Sequence, residues 1–154
     1  ETSKFLLNSY NTEDGLGDIT TCLKWLRETP QCNGLVSTIG YGIGANLSYL
    51  AGLWLDIESS VCYEFSGCNF FSKNDTFIRR PMLIHLSTMS YDNIKNKGKI
   101  EYIENVKNID LKIHEASTNF YKISDKNYDE EKSIIASKQT IQHIAKAFKN
   151  PHNI

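Results

Sequence analysis

The chain has 154 residues, with 17 Lys and Arg against 18 Asp and Glu and a formal net charge of −1. A chain of about this length buries roughly 68–70% of its unfolded surface, so one domain with a core is expected without support from metals or disulfides. The balanced charge offers no bulk attraction to nucleic acid or an anionic membrane. No apolar run approaches the ~18–20 residues that cross a bilayer.

Residues 1–13 are polar apart from Phe5-Leu6-Leu7. Leu16, Ile19, Leu23 and Leu26 then recur at helical spacing, and Thr29-Pro30 ends the helix they predict. Asn33-Gly34 is a turn signal, and residues 35–39 read as a buried strand running into a glycine-rich turn. Residues 46–55 form the next predicted helix. Residues 59–65 form a second strand, with Val61, Tyr63 and Phe65 alternating. Residues 66–80 mix Gly, Asn, Ser, Asp and Lys with phenylalanines and look irregular. Pro81 opens a third strand over 82–86. A Lys/Asn-rich stretch over 91–108 carries a partial apolar face of Ile94, Ile100, Ile103 and Val106, and residues 109–114 are the fourth strand. Asn127 with Glu130 predicts a capped helix start. Ile134, Ile141, Ile144, Ala145 and Phe148 are expected on one apolar stripe of that helix, which Asn150-Pro151 ends. Strands alternating with helices predict a three-layer α/β/α domain over residues 1–154, with a mostly parallel sheet of about four strands.

Four cysteines occur at Cys22, Cys32, Cys62 and Cys68, with no C-x-x-C pair and no accompanying histidine cluster. They are expected as free thiols in a reducing, cytoplasmic setting. No secretory leader pattern opens the chain. The first residue, Glu1, sets the expectation that the chain starts inside a longer gene product.

The most informative segment spans residues 37–53, S-T-I-G-Y-G-I-G-A-N-L-S-Y-L-A-G-L. A strand, a glycine turn and an apolar helix follow one another, as around the G-x-[Ser/Cys]-x-G nucleophile elbow of α/β-hydrolases. Here the frame is Gly40-Tyr41-Gly42-Ile43-Gly44, and glycine occupies the nucleophile position. The same residues also fit a dinucleotide fingerprint, Gly40-x-Gly42-x-x-Ala45, with Glu64 at the end of the next strand to meet a ribose hydroxyl. Against that, a Rossmann unit opens on this strand, whereas here a helix precedes it. The plainer alternative is that the glycines only keep a tight turn.

From Asp18 to Tyr63 the chain resembles the dienelactone hydrolase (carboxymethylenebutenolidase) family of α/β-hydrolases. The matching words are Leu23-Lys24-Trp25-Leu26-Arg27, Gln31-Cys32-Asn33-Gly34, Ile39-Gly40-Tyr41 and Tyr49-Leu50-Ala51. Further on, Pro81-Met82-Leu83-Ile84-His85 is similar to the strand leading to the family's acid. Glu115-Ala116-Ser117-Thr118-Asn119-Phe120 is similar to its E-x-A-G-H-x-F turn. The resemblance covers residues 14–149 and implies a partial α/β-hydrolase fold, corresponding to the later part of that domain, with no cofactor. Carried across residue by residue, it puts the nucleophile position on Gly42, the acid position on Ser90 and the base position on Thr118. None of these can perform the family's chemistry, because the nucleophile needs a base that an acid orients. The resemblance further implies absent strands before the first helix. That absence would leave residues 35–39 on an open sheet edge, to be covered by a second copy or a partner segment.

His85 and His114, in predicted strands, are expected as satisfied core histidines, and His143 and His152 as surface residues. Ser37, Thr38, Ser66, Ser87 and Ser90 are expected near the carboxyl ends of strands, where a displaced nucleophile would sit. Cys62 and Cys68 are expected to pack, and Phe65, Phe70, Phe71 and Phe77 to line the core or a retained pocket. Asp129, Glu130 and Glu131 complement a helix dipole. The expectation is a dienelactone hydrolase-like protein that has lost ester and lactone hydrolysis, with a role in binding (a small ester or lactone being the candidate ligand), a structural role, or no role as the product of a decaying gene. The alternatives are an active hydrolase with a rearranged or partner-completed site, and a dinucleotide-binding domain.

Overall fold

A computed structural model describes residues 10–67, 71, 78–104 and 106–151. Phe5-Leu6-Leu7, Cys68, Phe70, Phe77 and His152 lie outside these residues. The chain divides into two compact units, Glu1–Gly34 and Leu35–Ile154.

The first unit holds helix α1, Thr12–Glu28. Asn11 caps it, its side-chain oxygen accepting the Glu13 N–H at 2.9 Å. The helix stops at Thr29, whose extended backbone (ψ 127°) is the conformation that Pro30 imposes on the residue before it. Gly34, at φ 87°, makes the predicted turn, and its carbonyl accepts from Arg27 Nε at 3.2 Å.

The second unit is a three-layer α/β/α arrangement. Strands β1 (Ser37–Gly42), β2 (Ser59–Phe65), β3 (Met82–Ser87) and β4 (Ile109–His114) form one fully parallel sheet in the order β1-β2-β3-β4. Helix α2 (Ile43–Trp54) joins β1 to β2. Helix α3 (Thr88–Asn96) and a short 3-10 turn (Ile100–Tyr102) join β3 to β4, and helix α4 (Glu130–Lys149) follows. On one sheet face Cys62, Met82, Ile84 and Leu86 meet Ala45 and Tyr49 of α2 and Ile94 of α3. On the other, Val61, Tyr63 and Leu83 meet Ala136 of α4 and Phe120. The inner strands are buried along their length except Phe65, which parallel sandwiching between helices requires. The outer strands are not. In β1 only Gly40 is buried, and Ile39 and Tyr41 are about half exposed.

Several expectations are corrected. The first strand is neither at 35–39 nor buried. Pairing with β2 carries it to Gly42, so the bend occupies a single residue and α2 begins at once, at Ile43 rather than Asn46. Phe65 leaves the face of Val61 and Tyr63 because the ladder slips at Glu64, and it packs with Tyr49 and Phe71 instead. The cap of α4 is Asp129, which accepts the Lys132 N–H at 3.0 Å, and not Asn127, which donates to the Thr118 carbonyl. The buried stripe of α4 is Ala136, Thr140 and Ala147, while Ile134 and Ile141 face outward. Small residues let the helix approach the sheet, and Thr140 satisfies polar groups there that an isoleucine would strand.

Candidate functional site

In a parallel sheet all carboxyl ends lie on one side, where open α/β folds bind ligands. Gly42 ends β1, Ser90 lies in the first turn of α3 just beyond β3, and Thr118 lies in the turn beyond β4. The fold therefore brings the three sequence-predicted positions to the same end of the sheet. Ser66 and Ser87 are there too. Ser37 and Thr38 are not: they start β1, where their hydroxyls meet those of Ser59 (2.9 Å) and Ser48 (2.8 Å).

The bend itself is a strained elbow. Gly42 has φ 57° and ψ −116°, outside the regions open to L-residues. Gly40 is required by contact, because a Cβ there would fall 1.8 Å from the Gly44 carbonyl oxygen. Gly42 is not crowded, since a Cβ there would meet nothing within 4 Å. A side chain would fit at the tip, and none is present. No side chain caps α2, so the first N–H groups of that helix head the bend. The N–H after the nucleophile is one donor of an α/β-hydrolase oxyanion hole, and here it belongs to Ile43. The residue at the tip of this bend, Gly42, carries no side chain that could attack a carbonyl.

Tyr41 reaches from the elbow over Tyr63 (ring centroids 4.8 Å apart) and Tyr121 (5.1 Å). Burial pushes the Tyr121 hydroxyl up to about 12, with help from the charge of Glu64. The base-position turn is pinned by side chains: Asn119 (φ 63°) donates to Asp125, the Asn127 N–H also reaches Asp125, and the Asn127 amide holds the Thr118 carbonyl. At the position expected for the acid, the Ser90 hydroxyl donates to the Glu64 carboxylate, which also accepts the Ser87 N–H at 2.7 Å. Glu64 is therefore turned into the protein and not toward a ribose.

His85 and His114 are buried and satisfied, as expected. His85 Nδ1 lies 3.0 Å from His114 Nε2. His85 Nε2 lies 3.1 Å from the Thr140 hydroxyl, which also meets Tyr63 Oη at 2.7 Å. Burial, followed by the neighbouring His114, lowers the His85 pKa to about 3. His143 is not the expected surface residue. It is half-buried at the opposite end of the sheet, in a cleft of about 620 Å³ shared with Asp110, Lys112 and Lys146. Burial pushes the Cys62 thiol up, away from the thiolate a nucleophile needs. Cys22 and Cys32 are also free. Sequence reasoning missed Thr140 and the true partners of Glu64. The signals were present as a threonine in step with Ala136 and Ala147, and as a carboxylate inside a strand that the inner layer buries.

No family model matches the chain. Carboxymethylenebutenolidase 1 of Cupriavidus pinatubonensis is 23% identical over 142 residues, covering 91% of this chain and 61% of that protein. The carboxymethylenebutenolidase of Pseudomonas putida is 27% identical over 81 residues, 53% of this chain and 34% of that one. The chain thus spans about three fifths of the length of the first of these relatives. A solved structure from Klebsiella pneumoniae subsp. pneumoniae, provisionally named a dienelactone hydrolase, superposes with a TM-score of 0.69 at 13% identity, over 90% of this chain and 63% of that one. Sequence relatives and fold agree: the chain is similar in sequence to carboxymethylenebutenolidases and shares its fold with a dienelactone hydrolase.

Proposed function

We propose that this chain keeps the dienelactone hydrolase scaffold as a binding element for a small ester or lactone and does not hydrolyse it. The observation that carries this reading is the bare elbow tip: Gly42 holds the strained backbone of a nucleophile with open space where the side chain would be. Losing the nucleophile or the base of a catalytic triad can cost on the order of 10⁶-fold in turnover, and here Ser90 and Thr118 stand at the other two positions as well. The helix-head donor supports retained binding, because it can donate to a carbonyl oxygen without any attack on the carbon.

The test is hydrolysis of p-nitrophenyl acetate and carboxymethylenebutenolide, with calorimetric titration of the latter. The expected result is no turnover above buffer and saturable binding. Turnover by the unaltered protein that vanishes in Ser90→Ala would overturn the reading and assign the work to the Ser90–Glu64 pair. Absence of both turnover and binding would overturn the binding role.

A further inference from the structure

Glu64 is 5% exposed in an inner strand. It is the extra residue of a bulge: Tyr41 pairs with Tyr63 and Gly42 with Phe65, so Glu64 stands opposite the step that ends β1 at the elbow. Its φ of 54° lies in the left-handed region, which such a residue occupies only when its surroundings hold it there. Its carboxylate is what is held. One oxygen accepts the Ser87 N–H at 2.7 Å and the other accepts the Ser90 hydroxyl. Ser87 is the N-cap of α3 and Ser90 lies in its first turn, where the helix dipole favours an anion.

We propose that Glu64 has taken over the place of the family's acid: the site's carboxylate crosses over from β2, and Ser90 donates to it. This deepens the proposed function and rests on the same assignment of Ser90 to the acid position. Bulges re-aim a side chain beside a site. A serine can donate a hydrogen bond where an ionised aspartate can only accept one. The two changes fit each other, and each would be unfavourable alone. The site then lacks an attacking atom and a base but keeps a fixed negative charge beside the elbow. Tyr121, whose ring lies tilted against that of Tyr41 with centroids 5.1 Å apart, feels that charge. Lys97 shares with Ser90 and Phe65 a recess of about 140 Å³.

The experiment is thermal unfolding of the unaltered protein, Ser90→Asp, Glu64→Gln and the double variant at pH 8 and pH 5. Ser90→Asp sets two carboxylates at one place, and its Tm is expected to fall by about 5–10 °C at pH 8. Adding Glu64→Gln should restore at least half of that loss, because the amide donates to the new carboxylate and still accepts from Ser87. The deficit should shrink at pH 5, where the pair takes up a shared proton. Ser90→Asn, similar in size but uncharged, should melt within about 2 °C of the unaltered protein. If Ser90→Asp fails to fold at pH 8, folding of the double variant supports the proposal and its failure to fold overturns it. A Ser90→Asp protein as stable as the original, a deficit that Glu64→Gln does not relieve, or an equal deficit at both pH values would also overturn it. Ester hydrolysis by the unaltered protein would sink the proposed function and leave this melting cycle untouched.

Discussion

Acid should destabilise the second unit through His85, by an amount that can be worked out. The ring is fully buried between Thr140 and His114. Burial first, then the charges that His114, His143 and Lys112 carry when protonated, lower its pKa from 6.5 to about 3. The folded value lies below the unfolded one, so the unfolded chain binds the proton more tightly. The stability contributed by neutral His85 is complete above about pH 6.5 and is lost as the pH falls toward 3. From pH 7.5 to 4.5 that amounts to on the order of 2–3 kcal/mol, at 1.36 kcal/mol per pH unit below the unfolded pKa. Urea unfolding followed by far-UV circular dichroism measures it, and dichroism suits better than fluorescence because Trp54 is 67% exposed. His85→Gln keeps a hydrogen-bonding group and removes the titration. Its loss of stability over the same pH interval should be smaller than that of the unaltered protein by the stated amount. His114 and His143, also lowered by burial, titrate in both proteins, so the difference between the two carries the test. Equal losses in both would refute the reasoning.

Thr140→Val removes the shared partner of His85 Nε2 and Tyr63 Oη and should cost on the order of 2–4 kcal/mol in chemical denaturation, whereas Thr140→Ser, which keeps the hydroxyl, should cost about 1 kcal/mol or less. At the elbow, Gly40→Ala drives a methyl into the Gly44 carbonyl and should cost about 3 kcal/mol or more. Gly42→Ala meets only backbone strain and should cost about 1–2 kcal/mol. The reverse order of urea midpoints for these two variants would contradict the packing described for the bend.

Much of the unit was legible because its signals are local. Residues 59–65 and 109–114 are strands at the expected bounds, since short β-rich runs between turn residues leave little choice. The glycine pattern marked the elbow because φ 57° at Gly42 favours glycine and the 1.8 Å clash at Gly40 excludes a side chain, both without reference to distant residues. The face of α4 was not legible. Its isoleucines suggested one stripe, and the sheet selected another, because Tyr63 and His85 needed a hydroxyl and the close approach needed alanines. The direction of Glu64 was not legible either. A bulge depends on how two strands pair across 22 intervening positions, and no window of sequence contains that pairing.

Composition, periodicity and punctuation by themselves determined the α/β layering, the order of elements and the position of the bare elbow, because each follows from the conformational limits of neighbouring residues. Only the tertiary structure decided that Ser90 meets a carboxylate from β2, that two histidines form one buried chain closed by Thr140, and that Ser37 and Thr38 lie at the wrong end of the sheet. Those facts depend on which strand lies beside which. That is set by burial and hydrogen bonding summed over the whole sheet.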